Sequence, residues 1–157
     1  MKIILFQPDI AANVGAVLRL CACMNIPIEI IEPCGFPFDM RQIRRVALDY
    51  INHVKLHRHV SWEAFHANSM ERGSRLILLS TRGKVRYDQF AFLPDDMLLF
   101  GRESAGVHNA IHQAADAILR VPLAREMRSL NVATAAAMTL GEALRQTSLL
   151  PGDENER

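Results

Sequence analysis

Three short segments of this sequence place polar and charged side chains at the ends of apolar strands. Residues 13–19 open the first predicted helix and contain an asparagine, a glycine and an arginine. Residues 99–106, Leu-Phe-Gly-Arg-Glu-Ser-Ala-Gly, follow an apolar strand, and residues 129–131, Ser-Leu-Asn, open the last helix. The start of a helix offers free backbone N–H groups. With the nearby hydroxyl, amide, carboxylate and guanidinium groups, these segments predict one composite ligand site.

Arg19 stands out among these side chains. It lies on the first predicted helix, near the strand-end edge at which open parallel sheets bind ligands. Its neighbours Val17 and Leu18 are apolar. A surface position is the usual explanation for an arginine, but a lone charge among apolar neighbours indicates a function.

Several enzyme classes are disfavoured because their motifs are missing. No Gly-x-Gly-x-x-Gly follows the first strand, and no Gly-x-x-x-x-Gly-Lys-Ser/Thr occurs in the chain, so a Rossmann dehydrogenase or a P-loop enzyme is not expected. The six histidines have neither paired cysteines nor a His-Glu-x-x-His arrangement beside them. We therefore predict no metal site.

A serine hydrolase that uses Ser104 is an alternative. The sequence Glu103-Ser104-Ala105-Gly106 comes close to the Gly-x-Ser-x-Gly nucleophile elbow, and it follows a strand as that motif requires. Arg102 stands where the elbow needs its first glycine, and Gly101 is one place too early. This mismatch weighs against the hydrolase.

Residues 41–59 form the most basic part of the chain. Clustered guanidinium groups can bind phosphates through paired hydrogen bonds, and Tyr50 offers a ring on which a base can stack. A solvated helix face is the competing explanation. We predict that this segment binds nucleic acid through Arg41, Arg44, Arg45 and Tyr50.

Composition predicts one compact soluble domain. The chain has 157 residues, of which 50% are hydrophobic and 22% are charged, with a formal net charge of +1. We place the domain at residues 1–150 and a flexible tail at residues 151–157. No apolar run approaches the roughly 20 residues that a transmembrane helix needs, so no membrane association is expected.

The three cysteines, Cys21, Cys23 and Cys34, cannot pair completely, and no leader precedes the first strand. Both observations indicate a reducing cytoplasm. The cysteines are most simply explained as small apolar fillers of the core.

Alternating apolar runs and helical patterns predict an α/β fold with a parallel sheet and helices on both faces. The predicted strands are residues 2–6, 28–32, 76–80, 97–100 and 118–123, with a further short strand around 54–56. The predicted helices are residues 13–24, 39–48, 61–69, 107–115 and 129–148, with Asp39, Ser61 and Ser129 as candidate N-caps.

The last predicted helix carries a stripe of small and apolar residues at helical spacing. Such a stripe permits close packing against the sheet or against the same helix of a second subunit. Its members are Ala133, Ala136, Ala137, Leu140 and Leu144.

Five motifs, in order along almost the whole chain, resemble the SPOUT superfamily of RNA methyltransferases, specifically its small TrmL (YibK-like) members. Each motif alone is weak, but their order and spacing together are specific. They are Gln7-Pro8-Asp9-Ile10 with Asn13-x-Gly15-x-x-x-Arg19-Leu20-Cys21-Ala22; Ile31-Glu32-Pro33-x-Gly35-Phe36; Arg44-Arg45-x-x-Leu48-Asp49-Tyr50; Phe100-Gly101-x-Glu103-x-x-Gly106; and Pro122 followed by Ser129-x-Asn131.

This resemblance implies a parallel sheet whose C-terminal segment is threaded into a deep trefoil knot, an exception to the usual connection rules. It implies S-adenosyl-L-methionine as the methyl donor, no metal, and a homodimer that recognises tRNA. The implied reaction methylates the ribose 2′-hydroxyl of the wobble nucleotide, cytidine or a modified uridine, in particular in leucine tRNAs.

The resemblance also assigns residues to roles. The cofactor site would be lined by Leu79, Gly101, Val121, Ser129 and Leu130, while Asn13, Glu103 and Asn131 would hold the loops or the ribose of the substrate. Arg19 is the implied catalytic residue. Since a guanidinium pKa lies above about 12, we favour Arg19 as an orienting and charge-stabilising group over a general base.

Three residues at two sites depart from the family pattern. Ser104 and Ala105 stand where close relatives commonly have Thr-Arg, and Gly141 stands where many have an aromatic residue near the dimer contact. The rival function from another class is an RNA-binding or assembly protein that keeps the fold without turnover.

Overall fold

The computed structural model describes residues 1–70 and 73–152. Within them the strands form one parallel sheet in the order β3-β2-β1-β6-β4-β7-β5. The strands are β1 (Lys2–Phe6), β2 (Ile28–Ile31), β3 (Leu56–His59), β4 (Leu76–Leu79), β5 (Val85–Arg86), β6 (Met97–Phe100) and β7 (Ala117–Arg120). Of the predicted tail, residues 153–157 lie outside the described residues.

Helices cover both faces of this sheet, as the alternation of strands and helices predicts. The helices are α1 (Ala11–Cys23), α2 (Met40–Ala47), α3 (Trp62–Met70), α4 (Asn109–Ala114) and α5 (Val132–Thr147), and 3-10 turns span Leu48–His53 and Tyr87–Gln89. None of the helices in the described part of the chain is long and apolar enough to cross a membrane.

The two faces of the sheet bury separate clusters, because successive side chains of a strand point to opposite sides. Ile3 and Leu5 pack in the cluster that contains residues of α1, α2 and α5. Ile4 and Phe6 pack in the other cluster, which contains Phe65 of α3. This burial on both faces explains why the strands are almost continuously apolar.

The five main strands are confirmed within a few residues, and three details of the prediction are wrong. The short strand expected at residues 54–56 is β3, which begins only at Leu56. Strand β5 was not predicted, because its two residues carry no apolar alternation. Ser129 is not the N-cap of the last helix; Asn131 is, and its side chain accepts hydrogen bonds from two N–H groups of the first turn.

The other N-caps agree with the prediction. The side chain of Asp39 accepts a hydrogen bond from the Arg41 N–H at 2.9 Å, and Ser61 Oγ accepts one from the Ala64 N–H at 3.3 Å. The cysteines differ in burial. Cys21 is buried, as expected of a core filler, whereas Cys23 is exposed.

Candidate functional site

A cavity of about 450 Å³ opens where the strands β4, β6 and β7 end. Its walls come from four parts of the chain: the beginning of α1 and the segments that follow these three strands. Carboxyl ends of parallel strands meet at one edge of the sheet, which is where open α/β proteins bind ligands. The volume lies in the range of small-molecule sites.

All eight residues predicted for the cofactor and for loop support line this one cavity. They are Leu79, Gly101, Val121, Ser129 and Leu130, with Asn13, Glu103 and Asn131. The structure therefore brings together four segments that lie far apart in the sequence.

The remaining predicted site residues lie elsewhere. Arg19, Arg41, Arg44, Arg45 and Tyr50 are not among the residues that line the cavity. Sequence reasoning also missed part of the wall, notably Ser80 and Thr81. Both directly follow an apolar strand, so the strand-end argument that singled out the other corners could have found them.

A chain of hydrogen bonds connects three walls of the cavity. Glu103 Oε1 accepts a hydrogen bond from Asn13 Nδ2 at 2.8 Å, and Asn13 Oδ1 accepts one from Asn131 Nδ2 at 2.8 Å. Asn131 Oδ1 in turn accepts hydrogen bonds from the N–H groups of Ala133 at 2.8 Å and Thr134 at 3.3 Å. The loop after β6, the start of α1 and the start of α5 are thus held in one arrangement.

Asp9 anchors the loop after β6 from the other side. Its backbone N–H donates to Glu103 Oε2 at 2.8 Å. Its carboxylate accepts hydrogen bonds from Arg102 Nη2 and from Ser104 Oγ, both at 2.6 Å. These partners, Arg102 first and Ser104 second, lower the pKa of Asp9 to about 2.

The same contacts argue against the hydrolase alternative. The hydroxyl of Ser104 donates to the carboxylate of Asp9. A carboxylate whose pKa is about 2 is too weak a base to activate a serine, and among the described residues no histidine hydrogen-bonds to Ser104. Ser104 here holds a loop.

Replacing Asp9 by asparagine should weaken the fold at neutral pH and have less effect in acid. The pKa of Asp9 is lowered in the folded chain to about 2, below the ordinary value of about 3.9. Its stabilisation is therefore present above about pH 4 and is lost as the pH falls towards 2.

Urea unfolding of the wild type and of Asp9→Asn at pH 6 and at pH 2.5 measures this effect. The difference in unfolding free energy between the two proteins should shrink at the lower pH. Glu142, whose pKa is also lowered to about 2, is present in both proteins and cancels. An equal difference at both pH values would contradict the role given to the Asp9 charge.

The backbone at Gly101, which lines the cavity, leaves no room for a side chain. A Cβ atom at this position would lie 2.7 Å from the carbonyl carbon and 2.8 Å from the carbonyl oxygen of Gly106. Arg102 and Gly106 exchange backbone hydrogen bonds of 2.9 Å, which close the loop tightly. A side chain at Gly101 would force this loop open.

Arg19 lies on α1 and does not line the cavity. It is exposed, and its guanidinium carbon lies 4.7 Å from the centre of the Tyr50 ring. Six helical residues separate it from Asn13, which amounts to about 9 Å along the axis and about 120° around it. A single chain therefore presents Arg19 outside the cavity that Asn13 lines.

Helix α2 carries the basic surface. Arg41, Arg44 and Arg45 are all exposed, while Ile43 and Ala47 are buried. Among the described residues, none of the three arginines has an acidic partner at ion-pair distance. The helix thus presents three free guanidinium groups to solvent, which is the arrangement expected of a phosphate-binding surface.

Comparison with known proteins assigns the chain to a family. The model of the SpoU rRNA Methylase family matches residues 1–141. The chain belongs to this family and is an enzyme of the methyltransferase class.

Individual relatives agree with this assignment. A tRNA (cytidine(34)-2′-O)-methyltransferase of Beijerinckia indica is 57% identical over 146 residues, which cover 93% of this chain and 91% of the relative. A solved structure that concerns the 2-OH methylation of C/U34 on tRNA matches with a TM-score of 0.86 and 36% identity, covering 92% of this chain and 94% of the other.

A more distant structure shares the fold. The SpoU methyltransferase AviRb of Streptomyces viridochromogenes, in complex with the cofactor AdoMet, matches with a TM-score of 0.84 at 24% identity, over 93% of this chain and 60% of the other.

Proposed function

We propose that this protein transfers a methyl group to the ribose 2′-hydroxyl of nucleotide 34, the wobble position, of tRNA. The observation that carries the proposal is the convergence of the three sequence corners on one cavity. The Beijerinckia indica relative is named as a methyltransferase of cytidine 34, and the solved structure at 36% identity concerns the methylation of C/U34 on tRNA. A cytidine or a modified uridine at that position, in particular in leucine tRNAs, is the proposed substrate.

The chemistry of the cavity fits S-adenosyl-L-methionine as the methyl donor. Leu79, Val121 and Leu130 offer apolar walls for an adenine ring. Arg102 is the one cationic residue that lines the cavity within the described part of the chain, and it is paired with Asp9. A site without a free cation suits a nucleoside cofactor that carries no phosphate.

When bound, this cofactor supplies an electrophilic methyl group on a positively charged sulfonium. The carboxylate of Glu103 gives the lining of the cavity a negative charge, which favours a cationic ligand. The chain of hydrogen bonds through Asn13 and Asn131 keeps the three walls in register before any ligand arrives.

Arg19 has a separate task, because the acceptor is an unactivated hydroxyl. Negative charge develops on the ribose oxygen as its proton leaves, and a fixed guanidinium stabilises that charge. Stacking on Tyr50 limits the freedom of the Arg19 side chain. Arg41, Arg44 and Arg45 bind the phosphates of the tRNA in this proposal.

A homodimer completes the site. Since Arg19 lies outside the cavity of its own chain, a second copy is the natural source of the arginine that faces the substrate. On α5, Ala136, Leu140 and Leu144 of the predicted stripe are buried on the sheet, but Ala137 is exposed. Beside Ala137, Met138 and Gly141 are also exposed, which leaves a face on which a second copy can pack.

The deep trefoil knot and the cytoplasmic location belong to the same proposal. Strand β7 pairs with β4 and β5, and β6 lies between β1 and β4, a crossed strand order that is compatible with such a knot. A tRNA substrate and unpaired cysteines support a cytoplasmic location.

The decisive experiment transfers labelled methyl groups from S-adenosylmethionine to tRNA purified from cells that lack this modification. Digestion to nucleosides should release labelled 2′-O-methylcytidine or a labelled 2′-O-methylated uridine. Leucine tRNAs should carry most of the label when isoacceptors are separated. Label on a base, or no transfer to any tRNA, would overturn the proposal.

A further inference from the structure

The guanidinium group of Arg58, on the edge strand β3, contacts both an aromatic ring and a carboxylate. Its guanidinium carbon lies 4.3 Å from the centre of the Phe38 ring. In the plane of the guanidinium, Nε and Nη2 both contact the carboxylate of Glu32. The side chain of Arg58 is nevertheless 41% exposed. One face and one edge of the guanidinium are thus occupied, while part of the side chain is open to solvent.

The aromatic layer beneath Arg58 is also fixed. Phe38 stacks on Phe36 with 6.2 Å between ring centres and 28° between ring planes. Both rings are half-buried and pack against the cluster under α1 and α2. Phe38 therefore contacts two planar groups, Phe36 and the guanidinium of Arg58, and Arg58 is the exposed member of the three.

This layer lies beside the candidate site. The Gly35 N–H donates to the Pro8 carbonyl oxygen at 2.9 Å, and a Cβ at Gly35 would lie 2.9 Å from the Cα of Asp9. Asp9 binds Arg102 and Ser104, which flank Glu103 at the cavity. The loop with both phenylalanines is thus fixed to the anchor of the loop after β6.

Basic charge follows this layer directly along the chain. Asp39, next to Phe38, is the N-cap of α2, and Arg41, Arg44 and Arg45 on that helix are exposed. A planar cation whose supporting ring immediately precedes a helix with three free guanidinium groups matches the chemistry of single-stranded RNA, in which unpaired bases stack on aromatic rings or on arginine planes.

We propose that the exposed face of Arg58, supported by Phe38 and held by Glu32, is a stacking platform for an unpaired base of the tRNA anticodon loop. The inference rests on the proposed tRNA substrate and deepens it. The proposal gives Arg58 a different role from the basic surface of α2. Arg58 recognises an unpaired base, whereas the arginines of α2 bind phosphates of either paired or unpaired nucleotides.

Arg58→Lys tests this role, because it keeps the charge and removes the plane. Binding is measured with an anticodon stem-loop RNA and with a blunt RNA duplex of equal length, over a series of salt concentrations. Arg58→Lys should weaken stem-loop binding about tenfold, the typical value of one stacked base. Duplex binding and the slope of affinity against salt should stay unchanged, because the number of phosphate contacts is the same.

Arg86→Lys is the matched control, since Arg86 is also 41% exposed and pairs with Asp88 through Nε and Nη2. Among the described residues, its guanidinium has no aromatic ring beneath it. It should leave both affinities close to those of the wild type. Phe38→Leu is the second test variant, which removes the ring under the guanidinium and should reproduce the loss on the stem-loop. Thermal unfolding of each variant checks that the fold is retained.

Abasic substitutions along the RNA loop identify the base. At the stacked position, removal of the base should abolish the difference between the wild type and Arg58→Lys. Equal losses on stem-loop and duplex, or a difference that persists at every abasic position, would overturn the platform. These binding results do not depend on turnover, so a wild type that binds the stem-loop but transfers no methyl group would refute the proposed function alone.

Discussion

Replacing Arg19 by alanine is expected to lower the rate of methyl transfer by about 10²–10³-fold and to leave the affinity for S-adenosylmethionine unchanged. The size of the effect is that of removing one fixed donor from a developing negative charge. Cofactor affinity should hold because Arg19 does not line the cavity. Single-turnover rates with saturating tRNA and calorimetric titration with the cofactor measure the two quantities.

Arg19→Lys is the informative companion variant. A lysine keeps the charge but loses the planar group that stacks on Tyr50 at 4.7 Å and the fixed fork of donors. We expect most of the activity to be lost with lysine as well. Turnover at the level of the wild type would show that charge alone suffices, and the orienting role of the guanidinium would then be rejected.

Mixed dimers decide whether Arg19 acts across a subunit interface. The partner variant is Gly101→Val, in which the added side chain collides with the backbone of Gly106 and distorts the cavity wall of its own chain. Each variant alone should be inactive. In a heterodimer, the cavity of the Arg19→Ala subunit faces the intact Arg19 of the other subunit, so co-expression should restore activity. An inactive heterodimer would place Arg19 and the cavity in the same chain.

Most of the sheet and part of the candidate site could be predicted from the sequence. The apolar runs predicted the sheet and its covered faces, because a strand that is buried on both sides must be apolar throughout. The strand-end rule then predicted that Gly101, Glu103 and Asn131 would meet at one cavity. These conclusions need only local patterns and the geometry of parallel strands.

The sequence could not show in which direction a side chain points, or which of two neighbouring residues caps a helix. Ser129 and Asn131 are both good helix caps, and only the path of the loop decides that Asn131 binds the first N–H groups of α5. Of the predicted stripe on α5, Ala133 is half-buried and Ala137 is exposed, whereas Thr139, which was not part of the stripe, is buried. The contact between Arg58 and Phe38 joins residues twenty apart, and no local pattern predicts it.

The second large effect is expected at Glu103. Its replacement by glutamine should destabilise the hydrogen-bonded walls of the cavity. Both carboxylate oxygens are acceptors, from the Asp9 N–H and from Asn13 Nδ2, each at 2.8 Å. A glutamine has one acceptor, so its NH₂ group would face one of these donors. We expect a loss of about 1–3 kcal/mol in the free energy of unfolding, measured by urea unfolding.

A compensating variant tests this explanation directly. In Glu103→Gln with Asn13→Asp, the glutamine NH₂ can donate to the new carboxylate, which can still accept from Asn131 Nδ2. The glutamine oxygen can still accept from the Asp9 N–H. Every group is satisfied again and the total charge is unchanged, so the double variant should recover stability and cofactor affinity. Asn13→Asp alone should be destabilised, because two carboxylates would then face each other.

Activity of the double variant separates support from direct contact. If Asn13 and Glu103 only hold the walls, methyl transfer should return together with stability. If either side chain touches the incoming ribose, stability and cofactor affinity should return while the rate of transfer stays low, because the reversed hydrogen bond presents the wrong groups to the substrate. A double variant less stable than both single variants would contradict the assigned direction of the Asn13–Glu103 hydrogen bond.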